Sequence, residues 1–160
     1  RRALERGTAA HNTVVVNNKD QSKVWSGFRV AQRAKTVILE DKGRSFTAQH
    51  DGYRNFGAIH NRKFEFMEDS VLIKDTIQAN DASKNQCHLH LHPSIQIGET
   101  SLDTILLKGI GQLHFAGATK LDVQDYEMAH GYNNYLLAKK IVITFDKNLV
   151  TTISFNKNVT

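Results

Sequence analysis

Lys140-Ile141-Val142-Ile143-Thr144-Phe145 is the stretch that decides the fold. Ile, Val and Thr are branched at Cβ, which stiffens the side chain and favours extended backbone. Successive side chains on a strand point to opposite faces. Ile141, Ile143 and Phe145 therefore share one face, and Val142 and Thr144 share the other. The first three are the expected core face, because a one-residue slip would turn them all to solvent. Leu149-Val150-Thr151-Thr152-Ile153-Ser154-Phe155 repeats this character. In His60-Asn61-Arg62-Lys63-Phe64-Glu65-Phe66, the face of Arg62, Phe64 and Phe66 excludes Lys63 and Glu65.

Working outward, the same short runs recur along the chain, with one proline and no extended helical period. They include Thr13–Asn17, Val71–Gln78 and Gln86–His92, and near the end Gln112–Phe115, Lys120–Glu127, Asn134–Leu137, Lys140–Phe145 and Val150–Phe155. Turn-forming clusters divide them: Asn17-Asn18, Asp41-Lys42-Gly43, Asp51-Gly52, Glu68-Asp69, Asp81-Ala82-Ser83 and Asp146-Lys147-Asn148. This pattern predicts an all-β fold, an antiparallel β-sandwich of many short strands. No linker or repeat interrupts it, so residues 1-160 read as a single β-sandwich domain.

The chain carries 21 Lys and Arg against 16 Asp and Glu, a net charge of +5. That excess suits an anionic partner. The cations are scattered, with no basic block, so no nucleic-acid partner is expected. No apolar run approaches the roughly 20 residues that span a bilayer, so no membrane span is expected either. The single cysteine, Cys87, excludes an intrachain disulfide framework and is expected to pack as a small hydrophobe. Arg1-Arg2-Ala3-Leu4-Glu5-Arg6 has no initiator methionine and no apolar segment of a secretory signal. Any targeting segment is expected upstream, and the compartment stays open.

Several residues are candidates for chemistry. His11 sits where Gly7-Thr8-Ala9-Ala10-His11-Asn12-Thr13 runs into Val14-Val15-Val16. The strand fixes the imidazole and the loop leaves it reachable. One histidine does not bind zinc. Either His11 is an ordinary core or surface histidine, or its partner ligands precede Arg1. In His88-Leu89-His90-Leu91-His92 the imidazoles share a strand face. Their Cα atoms spread over roughly 13 Å, too far for one tight zinc cluster. A strand with an imidazole face and a leucine face is the favoured reading. His50-Asp51-Gly52-Tyr53-Arg54 reads first as an Asp-Gly turn. Tyr53 and Arg54 are the substrate-contact candidates there, with His50 beside them and His60 and Arg62 able to face the same space. Trp25 could stack on a sugar ring, although a lone Trp in a sandwich is more often core. Gly109-Ile110-Gly111 lacks the strand–loop–helix context of a phosphate loop.

Taken together, Arg6 to Val16, Asp20-Gln21-Ser22 with Trp25, Phe28-Arg29-Val30-Ala31, His50-Asp51-Gly52-Tyr53, His60-Asn61-Arg62 and His90-Leu91-His92-Pro93 resemble the C-terminal β-sheet domain of heparinase II/III-like polysaccharide lyases. The resemblance covers essentially the whole chain and is most specific in its first third. It implies a parent protein with an upstream helical toroid domain, an active-site cleft between the two, and β-elimination on a uronic-acid-containing polysaccharide. It implies a zinc (Zn) ion for which His11 is the last ligand, with the other ligands and the catalytic His and Tyr upstream. The fragment alone is then expected to lack activity and to hold no zinc, and no residue in it is assigned a proton-transfer role. A periplasmic or secreted location is what the family suggests. The competing readings are a non-catalytic carbohydrate-binding or structural sandwich, and a lyase-like protein of bacterial surface-polysaccharide assembly.

Overall fold

The chain begins with a short helix α1 (Arg2–Arg6) and a 3-10 turn (Thr8–Ala10). Strands follow: β1 (Val14–Val16), β2 (Lys23–Trp25), β3 (Arg29–Ala31), β4 (Thr36–Asp41), β5 (Ser45–His50), β6 (Ala58–Phe66), β7 (Ser70–Ala79), β8 (Asn85–His90), β9 (Ile97–Thr100), β10 (Thr104–Leu107), β11 (Gly111–Gly131) and β12 (Asn134–Phe155). A computed structural model describes residues 1–80 and 84–156, and the turn expected at Asp81-Ala82-Ser83 lies outside them.

The last two strands organise the rest. β11 and β12 form one antiparallel hairpin, with partners from Gly111↔Phe155 to Gly131↔Asn134. On its other edge, β12 meets two different neighbours. Asn148–Ser154 pairs with β7, and Lys140–Phe145 pairs with β8. The sheet therefore forks along β12. One branch continues through β7, β6, β5 and β4, with β10 and β9 beyond β11, and the other continues through β8 to β1. Side chains from both branches meet in one core: Val14 and Val16, Cys87, Ile77, Ile105, Leu113 and Phe115, Ile141, Ile143, Phe145 and Leu149. Opposed antiparallel branches sharing a core make a sandwich. Ile141, Ile143 and Phe145 are fully buried, as their alternation predicts.

Five of the expected short strands are thus parts of two long ones. The turn expected at Asp146-Lys147-Asn148 is the place where β12 changes neighbours without leaving β11. Between Ala116↔Val150 and Ala118↔Phe145 the register shifts, so Gly117 alone faces the residues from Asp146 to Leu149. Gly117 has φ +92, and a Cβ there would lie 2.5 Å from the Asn148 carbonyl oxygen. Only glycine accepts that backbone at no steric cost. Polar residues mark the bend because a bulge unpairs backbone groups, which is also what a turn does. Trp25 lies on the separate β2–β3 hairpin and is 43% exposed, outside the core.

Candidate functional site

Strand alternation sends an acid inward on β7. Asp75 shares a face with Ile73 and Ile77, and its side chain is fully buried. An isolated buried carboxylate would be very costly. Here every neighbour offers a proton. Arg62 from β6 grips it with two parallel bonds, Nε to Oδ1 at 2.7 Å and Nη2 to Oδ2 at 3.0 Å. The His60 Nε2 lies 2.6 Å from Oδ1. His50 from β5 is next, with its Nε2 3.0 Å from His60 Nδ1. The Gly52 backbone N–H donates to His50 Nδ1 at 3.2 Å.

One assignment of protons satisfies this whole row. Gly52 fixes His50 Nδ1 as an acceptor, so the His50 proton is on Nε2 and points at His60. His60 then carries its proton on Nε2 and donates it to Asp75. Burial pushes the Asp75 carboxyl up, but the His60 bond and the Arg62 charge outweigh it and hold the group below the usual carboxylate range. Burial, aided by His60, pulls His50 down to about 4, which keeps its ring neutral. The Cys87 thiol touches the same group, 3.9 Å from Asp75 Oδ2. Burial first, then Asp75, pushes it up to about 12, so it stays a thiol and has no nucleophilic role.

The network reaches the His11 loop through Asn12. Arg62 Nη1 donates to the Asn12 carbonyl at 2.7 Å. The Asn12 side-chain oxygen accepts from the His90 backbone N–H at 2.8 Å and lies 3.1 Å from His90 Nδ1. His11 is bracketed by two further bonds, from its N–H to Thr8 O and from Thr13 N–H to its own carbonyl. Its imidazole is exposed on a firmly held loop.

The residues expected in the site separate. His50, His60 and Arg62 do face one space. Tyr53 packs beside His50 with ring centroids 5.5 Å apart, but it is fully buried. Its hydroxyl donates to the Val14 carbonyl at 2.6 Å, so it ties the loop after β5 to β1 and presents no surface to a ligand. Arg54 points the other way, 74% exposed, with Asp51 3.5 Å from its guanidinium. His88 and His90 lie side by side on β8 with rings 6.5 Å apart. His92 falls beyond the strand and bonds Ser94. Among the described residues, no three His, Cys, Asp or Glu side chains are placed to hold a metal. The residues present do not make a zinc cage by themselves. Sequence reasoning missed Asp75 and the double role of Asn12. The available signal was the alternation Ile73-Lys74-Asp75-Thr76-Ile77, which puts an acid on an apolar face.

The chain belongs to the family described as heparinase II/III-like, C-terminal, whose model matches residues 1–157. Its fold is shared with a heparinase III gene product at a TM-score of 0.76 and 17% identity, over 98% of this chain and 25% of that one. It is shared equally with the heparan sulfate lyase HepC from Pedobacter heparinus, at a TM-score of 0.74 and 16% identity, over 99% of this chain and 26% of the other. The chain thus spans about a quarter of the length of these solved proteins. No curated protein matches it by sequence. No helix among the described residues is long and apolar enough to cross a membrane.

Proposed function

We propose that this chain is the C-terminal sandwich of a polysaccharide lyase that cleaves a uronic-acid-containing polysaccharide by β-elimination. The observation that carries the reading is the family match across essentially the whole chain. In that reaction a base removes the proton at C5, a double bond forms between C4 and C5, and the C4–O4 bond breaks. The departing oxygen takes a proton from an acid. The C5 proton is weakly acidic, so the site must neutralise the neighbouring carboxylate and the charge that builds on it. An upstream helical domain supplies the acid and base in this reading. This chain supplies a rigid wall, an overall positive charge that draws in a polyanion, and Arg54 as an exposed cation able to meet a carboxylate.

His11 is proposed as one zinc ligand of the parent, with its partners upstream. Its exposure and its bracketed loop support this role. Metal analysis of the parent should find one zinc, and His11→Ala should lose it. Full retention by that variant would remove the assignment. The lyase reading is tested by ultraviolet absorbance of unsaturated uronate when the parent meets a panel of acidic glycans. No rise with any uronate polymer overturns it. The isolated chain should show no rise with any of them.

A further inference from the structure

A small polar cavity of about 330 Å³ lies beside the β2–β3 hairpin, within the roughly 300–1,000 Å³ that small-molecule sites occupy. Three segments wall it. The first follows the Asn17-Asn18 turn, where both residues have positive φ and the Lys19 N–H donates back to the Val16 carbonyl at 2.9 Å. This segment brings Lys19, Asp20 and Gln21 and runs into Lys23 on β2. The second wall is Gln32, just past β3. The third is the 3-10 turn Arg54–Phe56 after β5, which brings Asn55 and Phe56.

These walls are tied to one another through the protein itself. Asp20 Oδ1 accepts the Thr8 N–H at 2.6 Å, and Thr8 Oγ1 accepts the Gln21 N–H at 2.9 Å. Ser22 Oγ accepts the Ala34 N–H at 3.0 Å, which closes the base of the hairpin. Gly52 packs so tightly on the first wall that a Cβ there would lie 2.6 Å from the Gln21 carbonyl oxygen. Only a residue without a side chain lets the loop after β5 come that near. Gln32 has φ +48, a left-handed backbone uncommon outside glycine and asparagine. Outliers of this kind gather at ligand sites.

The lining has the chemistry of a sugar site. Gln21, Gln32 and Asn55 carry side-chain amides, and none of these has a hydrogen-bond partner among the described residues. A sugar ring offers adjacent hydroxyls, each a donor and an acceptor, and an apolar C–H face. An amide holds a donor and an acceptor in one plane, which matches two such hydroxyls. The Phe56 ring, 49% exposed, matches the C–H face. Two cations, Lys19 and Lys23, stand against one acid, Asp20, and neither lysine forms an ion pair among the described residues. That surplus suits a ligand with a single negative charge. Lys19 Nζ is held 5.9 Å from the centre of the Phe56 ring, so Lys23 is the cation left for an acid group.

We infer that this cavity binds one sugar residue bearing a carboxylate, a uronate. The three amides hold its hydroxyls, Phe56 holds its apolar face, and Lys23 meets the carboxylate. The choice of a uronate rests on the lyase reading above. The site lies in the loop that carries Tyr53 and Arg54, but its contacts come from Asn55 and Phe56.

The test is a titration of the 160-residue chain, labelled with nitrogen-15, at constant ionic strength. The probes are methyl glucuronide, methyl glucoside and sodium acetate. The glucuronide should move the side-chain NH₂ signals of Gln21, Gln32 and Asn55 along a saturable curve. The glucoside should bind at least tenfold more weakly, and acetate should move none of them. Lys23→Gln should bring glucuronide binding down to the glucoside level, and Asn55→Ala should weaken both sugars at least fivefold. Lys139→Gln, which removes a cation already paired with Asp125, should leave binding unchanged. Unmoved amide signals with the glucuronide, an equal response to the glucoside or to acetate, or undiminished binding by Lys23→Gln overturns the proposal. A parent that cleaves no uronate polymer, in a protein that still binds the glucuronide, defeats the lyase reading alone. Cleavage without glucuronide binding to this chain defeats the site alone.

Discussion

Two histidine-bearing regions of this molecule lie on different strands, one across β5, β6 and β7 and the other on β8 beside β12, and are finished differently. In the inner one, His50, His60, Arg62 and Asp75 form a row with a single consistent set of protons. In the outer one, neither ring nitrogen of His88 has a hydrogen-bond partner, and Lys140 forms no ion pair among the described residues. A closed polar network adds rigidity and specifies one packing. An open one adds no such constraint.

The comparison breaks most sharply at Asp75. Asp75→Ala leaves the largely buried Arg62 without its partner, and it should lower stability by about 3–5 kcal/mol. Urea denaturation measures this, and a loss under about 1 kcal/mol would mean the inner row is not a buttress. Gly117→Ala comes next, at about 1–3 kcal/mol, because the backbone there is left-handed and crowded by a carbonyl. Acid should sharpen the contrast further. His50 sits near 4 in the folded chain against a usual 6.5, so the unfolded chain takes up its proton first. The His50 contribution is therefore complete above pH 6.5 and disappears as pH falls to about 4. The urea midpoint should fall across that window, and His50→Gln should flatten the fall. The smallest effect belongs to the outer region. Lys140→Gln should change stability by no more than about 0.5 kcal/mol, since it removes a charge that nothing in the fold uses. A large loss there would erase the distinction between the two regions.

The alternation in Lys140–Phe145 and His60–Phe66 was enough to recover the all-β sandwich and to place Ile141, Ile143 and Phe145 inside. It was not enough to join strands across Asp146-Lys147-Asn148, because local chemistry cannot tell a reversal from a bulge that keeps its direction. The sequence brought attention to His50, His60 and Arg62 through neighbouring motifs. Asp75 escaped because it belongs to no motif and becomes informative only when its strand is in register with β6. Tyr53 shows the converse. Its place in a turn made it a substrate-contact candidate, but a long-range bond to Val14 draws the phenol into the core. Arg54, one residue later, stays outside. A single step along the backbone separates a buried structural anchor from an exposed cation, and composition carries no trace of that step.

The forked β12 has a kinetic consequence. Its contacts with β11 close a short loop at Tyr132-Asn133, whereas those with β7 and β8 join segments far apart in sequence. Loop closure over short separations is fast, and distant pairings come later. The hairpin is then the template on which both branches must condense. Because both branches are built on it, the slowest-exchanging amides should run along its middle on both sides of the bend.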